Sequence, residues 1–320
     1  MRIGVLTTLY QHEPITSVLD KLKEMGITAV EIGTGGFAAN THINLDQLLS
    51  DQAARKAYLQ EIADREMIIS ALSCHGNPIH PDQKIAQHDD NVFRKTVQLA
   101  RLMDVPVVNT FSGLPAGSAD DRTPNWVTCP WPPQFLEILK YQWDQVAIPY
   151  WKDAAAYAAD HGVKIGIELH PGMLIYNVET MLRMRDEVGP TLGANLDPSH
   201  LFWNGVDPLA AIRALGDAVH HVHAKDCYVD PFNVAVNGCN DHKPYDQILN
   251  RSWTFRTVGY GHDLKFWKDF ISTLRLVGYD HVISIEHEDA MMSIDEGLAK
   301  AFDVLKDAII TQPPGEMYWA

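Results

Sequence analysis

Four segments in the second half of the chain each run through a few aliphatic residues and then end on ionisable side chains. IGIELHPG delivers Glu168 and His170, and GANLDPSHLFW delivers Asp197 and His200. VHHVHAKD delivers His221 or His223, then Lys225 and Asp226, and VISIEHED delivers Glu286, His287, Glu288 and Asp289. Brought to one rim, these groups supply three carboxylates and an imidazole. Close carboxylates repel one another and resist desolvation unless something neutralises them. A divalent cation is the most economical neutraliser, and the expected ligands are Glu168, Asp197, His223 and Glu286. His221 shares the strand parity of His223, but His223 lies nearer the C-terminal end of its strand; His220 has the opposite parity and should face outward. An oxygen-rich set with one imidazole suits an octahedral ion with open positions. Mn²⁺ is therefore expected first, with Mg²⁺, Co²⁺ or Zn²⁺ as alternatives.

The chemistry of such a centre follows from the ion. A metal chelated by the carbonyl and adjacent hydroxyl of a ketose acidifies the α-proton and stabilises an enediolate. One Glu removes that proton; its return to the opposite face is epimerisation, and its return to the neighbouring carbon is aldose–ketose isomerisation. Lys225 either stabilises the oxyanion or forms a surface ion pair. Glu31, His75 and Asn109 end three earlier apolar runs, where each either lines the mouth or holds a neighbouring side chain. Arg256 and His262, on a long loop, are candidates for sugar hydroxyls, a carboxylate or a phosphate, although an Arg between Trp253 and Phe255 also reads as a packed anchor.

The elements that must position these groups alternate along the whole chain. Short, β-branched, nearly continuously apolar runs at Ile3–Thr8, Ala29–Gly33, Ile68–Cys74, Pro106–Thr110, Lys164–Leu169, Leu192–Leu196, Val219–Ala224 and Val282–Glu286 read as strands buried on both faces. Between them Ile15–Met25, Asp90–Met103, Pro149–His161, Val178–Val188, Pro208–Leu215, Leu264–Val277 and Ile294–Ile309 carry helical periodicity. Strict alternation implies parallel strands, and eight units of about 40 residues favour a closed (β/α)₈ barrel. With no linker or composition shift, residues 1–320 read as one TIM-barrel domain. Two insertions, Leu114–Pro133 and Cys227–His262, follow strands and would roof the C-terminal mouth.

IELHPG, NLDPSHLFW, HVHAKD and SIEHED, in that order, resemble the xylose isomerase-like barrel superfamily, and within it the sugar phosphate isomerase/epimerase group that includes D-tagatose 3-epimerase. The resemblance implies a divalent metal held by Glu168, Asp197, His223 and Glu286. It further implies that Glu168 and Glu286 act as the acid/base pair and that His200 contacts substrate near the reacting carbonyl. Its members are commonly dimers or tetramers, so a homo-oligomer is expected. The segment Asn250–His262 is longer than the corresponding loop of the simple epimerases. It resembles members linked to oxidised glycosides, which makes a lyase acting on 3-keto-glycosides the alternative reading.

Charge narrows the partners. Lys and Arg number 26 against 41 Asp and Glu, a net charge of −15. A nucleic-acid or anionic-membrane binder needs a basic footprint, so such partners and an endonuclease IV-like phosphoesterase are disfavoured, and the small sugar that the resemblance implies is the expected ligand. No signal-peptide pattern or long apolar run is present, and four scattered cysteines without a C-x-x-C read as reduced thiols in a cytoplasmic protein. Gly33-Thr34-Gly35-Gly36-Phe37-Ala38 matches a dinucleotide fingerprint, but no helix opens directly behind it.

Overall fold

Eight apolar runs form eight parallel strands that close on themselves. The computed structural model describes residues 1–319. The strands are β1 (Arg2–Leu6), β2 (Ala29–Gly33), β3 (Ile68–Ser73), β4 (Val107–Thr110), β5 (Lys164–Glu168), β6 (Leu192–Leu196) and β7 (Val219–Ala224), followed after an excursion by β10 (Val282–Ile285). The order around the barrel is β1-β10-β7-β6-β5-β4-β3-β2. Nearly every strand residue is buried, as expected where side chains of one parity fill the barrel and those of the other meet the helices. Among the described residues no helix is long and apolar enough to cross a membrane.

Side-chain caps set several boundaries that periodicity alone places differently. The helix expected from Asp90 begins at Gln83, because the Asp82 carboxylate accepts from the Lys84 amide at 2.8 Å. Two helices between β2 and β3, Leu45–Ser50 and Gln52–Ala63, are capped by Asn44 and Asp51. Thr7–Tyr10 forms a 3₁₀ turn, so β1 ends before Thr8. The helix expected from Pro149 is the last part of a continuous run from Gln134 to Asp160, with a π-turn at Gln142–Ala147. The turn aims the buried Gln142 amide at the carbonyls of Pro115, Ala116 and Asn125 (3.2, 3.2 and 2.6 Å), which ties the first insertion to the barrel.

The second insertion is itself structured. Asp226–Val229 (β8) and Trp253–Arg256 (β9) pair antiparallel above the C-terminal ends of the barrel strands. Asp226 is the knot: its Oδ2 accepts from the amides of Gly259, Gly261 and His262, and its Oδ1 from the Cys227 amide. A Cβ on Gly261 would stand 2.4 Å from the Cys227 carbonyl oxygen, so only glycine lets the loop approach so closely. On the opposite rim, Gly36 (φ +70°) lies against the His75 carbonyl, where a Cβ would stand 1.9 Å from the oxygen. That contact, and not a phosphate, explains the glycine-rich stretch, and it sets the exposed Phe37 ring over the barrel mouth.

Candidate active site

β5, β6, β7 and β10 end side by side, and their last side chains meet. Ligand atoms of Glu168, Asp197, His223 and Glu286 all lie within 4.8 Å of one another. Glu168, Asp197 and His223 are buried, and Glu286 keeps 18% of its side chain exposed toward a cavity of about 540 Å³. Asp197 also caps the helix Pro198–Trp203 through Oδ1, which accepts from the Ser199 amide at 2.8 Å and leaves Oδ2 turned to the cluster. Asp197 Oδ2, Glu286 Oε2 and the Nε2 atoms of His75 and His200 are buried without a hydrogen-bond partner. The imidazole nitrogens of His75 and His200 stand 2.9 and 3.2 Å from Glu168, ion-pair distances, yet out of line for a directed bond. Three carboxylates and one imidazole with converging ligand atoms fit a divalent ion, although Asp197 Oδ2 also lies 3.0 Å from the Lys225 ammonium and Glu286 Oε2 2.9 Å from His223 Nδ1.

Beneath the cluster a polar layer fixes the imidazole. His223 Nε2 sits 3.1 Å from each Glu31 oxygen, and its Nδ1 lies 2.9 Å from Glu286. Glu31 is fully buried and also accepts from Ser73, from Asn109 Nδ2 at 2.9 Å and from Ser284 Oγ at 2.6 Å. Burial raises the Glu31 carboxyl, but His223, His221 and these donors hold it well below the usual carboxylate range. Burial lowers His223, but Glu31 and Glu286 on its two nitrogens outweigh this and push it well up. Loss of the Nδ1 proton frees a lone pair on the cluster side while Nε2–H stays on Glu31, the carboxylate–histidine arrangement that orients metal-ligating imidazoles. His221, one step deeper, bonds to Asn195 and Ser70. Burial pushes its imidazole down to about 3.

Lys225, expected either at the oxyanion or in a surface ion pair, supplies a counter-charge within the cluster. Its side chain is 2% exposed, so it is not a surface pair; Nζ lies 3.0 Å from Asp197, 3.0 Å from Glu286 and 3.1 Å from Glu288. Part of the carboxylate repulsion is thus relieved by the chain itself. Four carboxylates still face one ammonium and one imidazolium, so the cluster keeps an excess of negative charge. Burial raises Glu286, but Lys225 and His223 bring it down to about 2. Burial likewise raises Glu168, and the neighbouring imidazoles of His200, His75 and His223 hold it well below its ordinary range. Both stay ionised at neutral pH.

The xylose isomerase-like TIM barrel model matches residues 19–308. The chain belongs to that family. Over 312 residues it is 43% identical to the uncharacterized protein YfiH of Bacillus subtilis, covering 97% of this chain and 99% of that one. Solved structures that share the fold include the probable 3-DHS dehydratase AsbF involved in petrobactin synthesis from Bacillus anthracis (20% identity, TM-score 0.63, 96% and 99% coverage). A D-tagatose 3-epimerase-like protein (19%, TM-score 0.62, 96% and 99%) and the IOLI protein with a bound zinc atom (18%, TM-score 0.64, 96% and 96%) share it as well.

Not every expected substrate contact in this xylose isomerase-like barrel reaches the cavity. His75, His200 and Lys225 line it. Asn109 does not: it is buried inside the barrel as a donor to Glu31. Arg256 does not either; its Nε donates to Asp289 at 3.1 Å. His262 Nδ1 lies 2.7 Å from Asp226, and its ring stacks on Phe202 at 3.7 Å, so it anchors the loop. Trp203 and Trp253 stack on each other at 4.5 Å instead of offering a face to a sugar. His220 faces outward as its parity requires, with Nδ1 2.9 Å from the Ile165 carbonyl. Sequence reasoning passed over Phe37, Phe111, Met173 and Tyr245, which line the cavity from loops where no periodicity marks the inward side.

Proposed function

We propose that the chain is a divalent-metal-dependent sugar isomerase or epimerase that removes the proton beside the carbonyl of a ketose or keto-sugar. The observation that carries this reading is the convergence of Glu168, Asp197, His223 and Glu286 beside the cavity that Glu168, His223 and Glu286 line. These four residues would hold the ion, with Mn²⁺ expected and Zn²⁺ an alternative given the zinc in IOLI. When bound, such an ion polarises a carbonyl and offsets the negative charge that develops on it. Glu168 and Glu286 take and return the proton. Carboxylates held this far below neutrality are weak bases, so turnover depends on how firmly the developing oxyanion is held. Lys225 is the chain's own cation for that task, and His75 and His200 flank Glu168 where they bind and orient the substrate oxygens.

A second reading is elimination from a 3-keto-glycoside, and the placement of Lys225 favours it. A buried ammonium 3.0 Å from Glu286 can protonate a departing oxygen after a carboxylate takes the α-proton. The dehydratase AsbF, alike in fold, bears a name consistent with such a step. Both readings share the first event. The Mn²⁺-loaded protein should exchange the α-proton of ketoses or 3-keto-glycosides into D₂O, and Glu168→Gln and Glu286→Gln should slow exchange at least about 10²-fold. Exchange at the parent rate in both variants would remove them from proton transfer. Product analysis by NMR then separates an epimer or isomer from an eliminated fragment.

A further inference from the structure

A second cavity of about 300 Å³ opens beside the main one. His170, Tyr245 and Glu288 line both, so the two adjoin. Thr254 and Phe255 of β9, Ile248, and Ala290 and Met291 beyond β10 complete its lining. The Tyr245 and Phe255 rings lie nearly parallel, 22° apart with centroids at 5.9 Å. Glu288 carries the one formal charge among the lining residues, and its carboxylate is held at the junction by Lys225.

We infer that this annex is a subsite for a flat, uncharged, apolar substituent on the sugar, so that the substrate is an aryl-substituted keto-sugar and not a free ketose. The inference rests on the keto-sugar reading above and names the class of substrate within it. A ligand seated between Glu168 and Glu286 with a substituent directed past Glu288 has the annex as its continuation. The aromatic and aliphatic side chains and a methionine reward an aryl ring with buried apolar area. A hydroxyl-rich group would find polar partners only around the edge of the annex, in Thr254, Tyr245, His170 and Glu288, and would cover Ile248, Phe255, Ala290 and Met291 without replacing its water there. An anionic substituent would meet the Glu288 carboxylate on a chain of net charge −15.

The test compares phenyl and methyl 3-keto-glucoside on the Mn²⁺-loaded protein, with affinity read by calorimetry and α-proton exchange read in D₂O. The phenyl compound should bind at least about tenfold more tightly. Ala290→Phe, which fills the annex, should reduce that ratio to within about twofold, and Tyr245→Ala should lower it as well should the first variant not fold. Equal affinities in the parent, or a preference that survives both substitutions, overturn the subsite. Failure of the keto-sugar reading would look different: the aryl preference would persist while neither compound exchanged its proton. Binding of neither compound would overturn both.

Discussion

Lys225 and Glu31 play opposite parts around the same four ligands. The Lys225 ammonium bridges Asp197 and Glu286, two of the carboxylates that would hold an ion, so under the proposed function it would compete with metal while serving the reaction. Lys225→Met should therefore tighten divalent-ion binding about tenfold by calorimetry, while α-proton exchange falls at least about 10²-fold. Weaker binding would mean that the lysine supports the site instead of competing for it. Glu31 acts one layer down, by holding His223 Nε2. In Glu31→Gln the amide replaces one acceptor oxygen with a donor facing Ser73, Asn109 or Ser284, and metal affinity should fall about 10–100-fold. Unchanged affinity would show that the imidazole needs no such support. The convergence of Glu168, Asp197, His223 and Glu286 was legible in the sequence because each lies at the end of a strand. Lys225 was not, because nothing in HAKD tells whether a lysine two residues past His223 turns inward or outward.

The strands were the most legible elements. β2, β6 and β7 span the residues that their short, largely apolar and β-branched runs predict, with Glu31, Asn195 and the β7 histidines as buried polar exceptions. Loops were the least legible. The β8–β9 hairpin depends on Asp226 gathering amides from residues 33 to 36 positions away, a long-range polar contact that local patterning cannot reveal. The same contact accounts for His262, which reads as a binding residue from its type and proves to be an anchor. Parity did place His220 on the outer face of β7, and that position has a measurable consequence. Burial, with Lys164 and Arg185 nearby, brings its imidazole down from 6.5 to about 4, against the Ile165 carbonyl that favours the charged ring. Between those values the unfolded chain binds a proton that the folded chain does not, so stability falls as pH drops through that window. The loss from this group reaches about 3 kcal/mol near pH 4. His220→Gln, which keeps a donor for Ile165, should flatten the acid limb of urea-melt stability between pH 6.5 and 4; an unchanged slope would show that His220 protonates freely in the fold.

At the scale of the whole molecule, barrel closure makes the site. β5 to β7 are consecutive and β10 joins them only by pairing with β7, so Glu286 arrives beside His223 from some sixty residues away, across the hairpin insertion. Ser284 and His223 stand in register, which puts Glu286 and Lys225 at the same height on the rim. The acidic surplus gathered there is what an ion would neutralise, and ligand binding to the folded state alone raises the melting temperature in a concentration-dependent way. The most direct measurement is a calorimetric titration of Mn²⁺ into chelator-treated protein, repeated with Asp197→Ala and His223→Ala. The account predicts one ion bound per chain in the parent, a rise in melting temperature on binding, and loss of both in either variant. No binding by a folded parent, or binding that both variants retain, would contradict it.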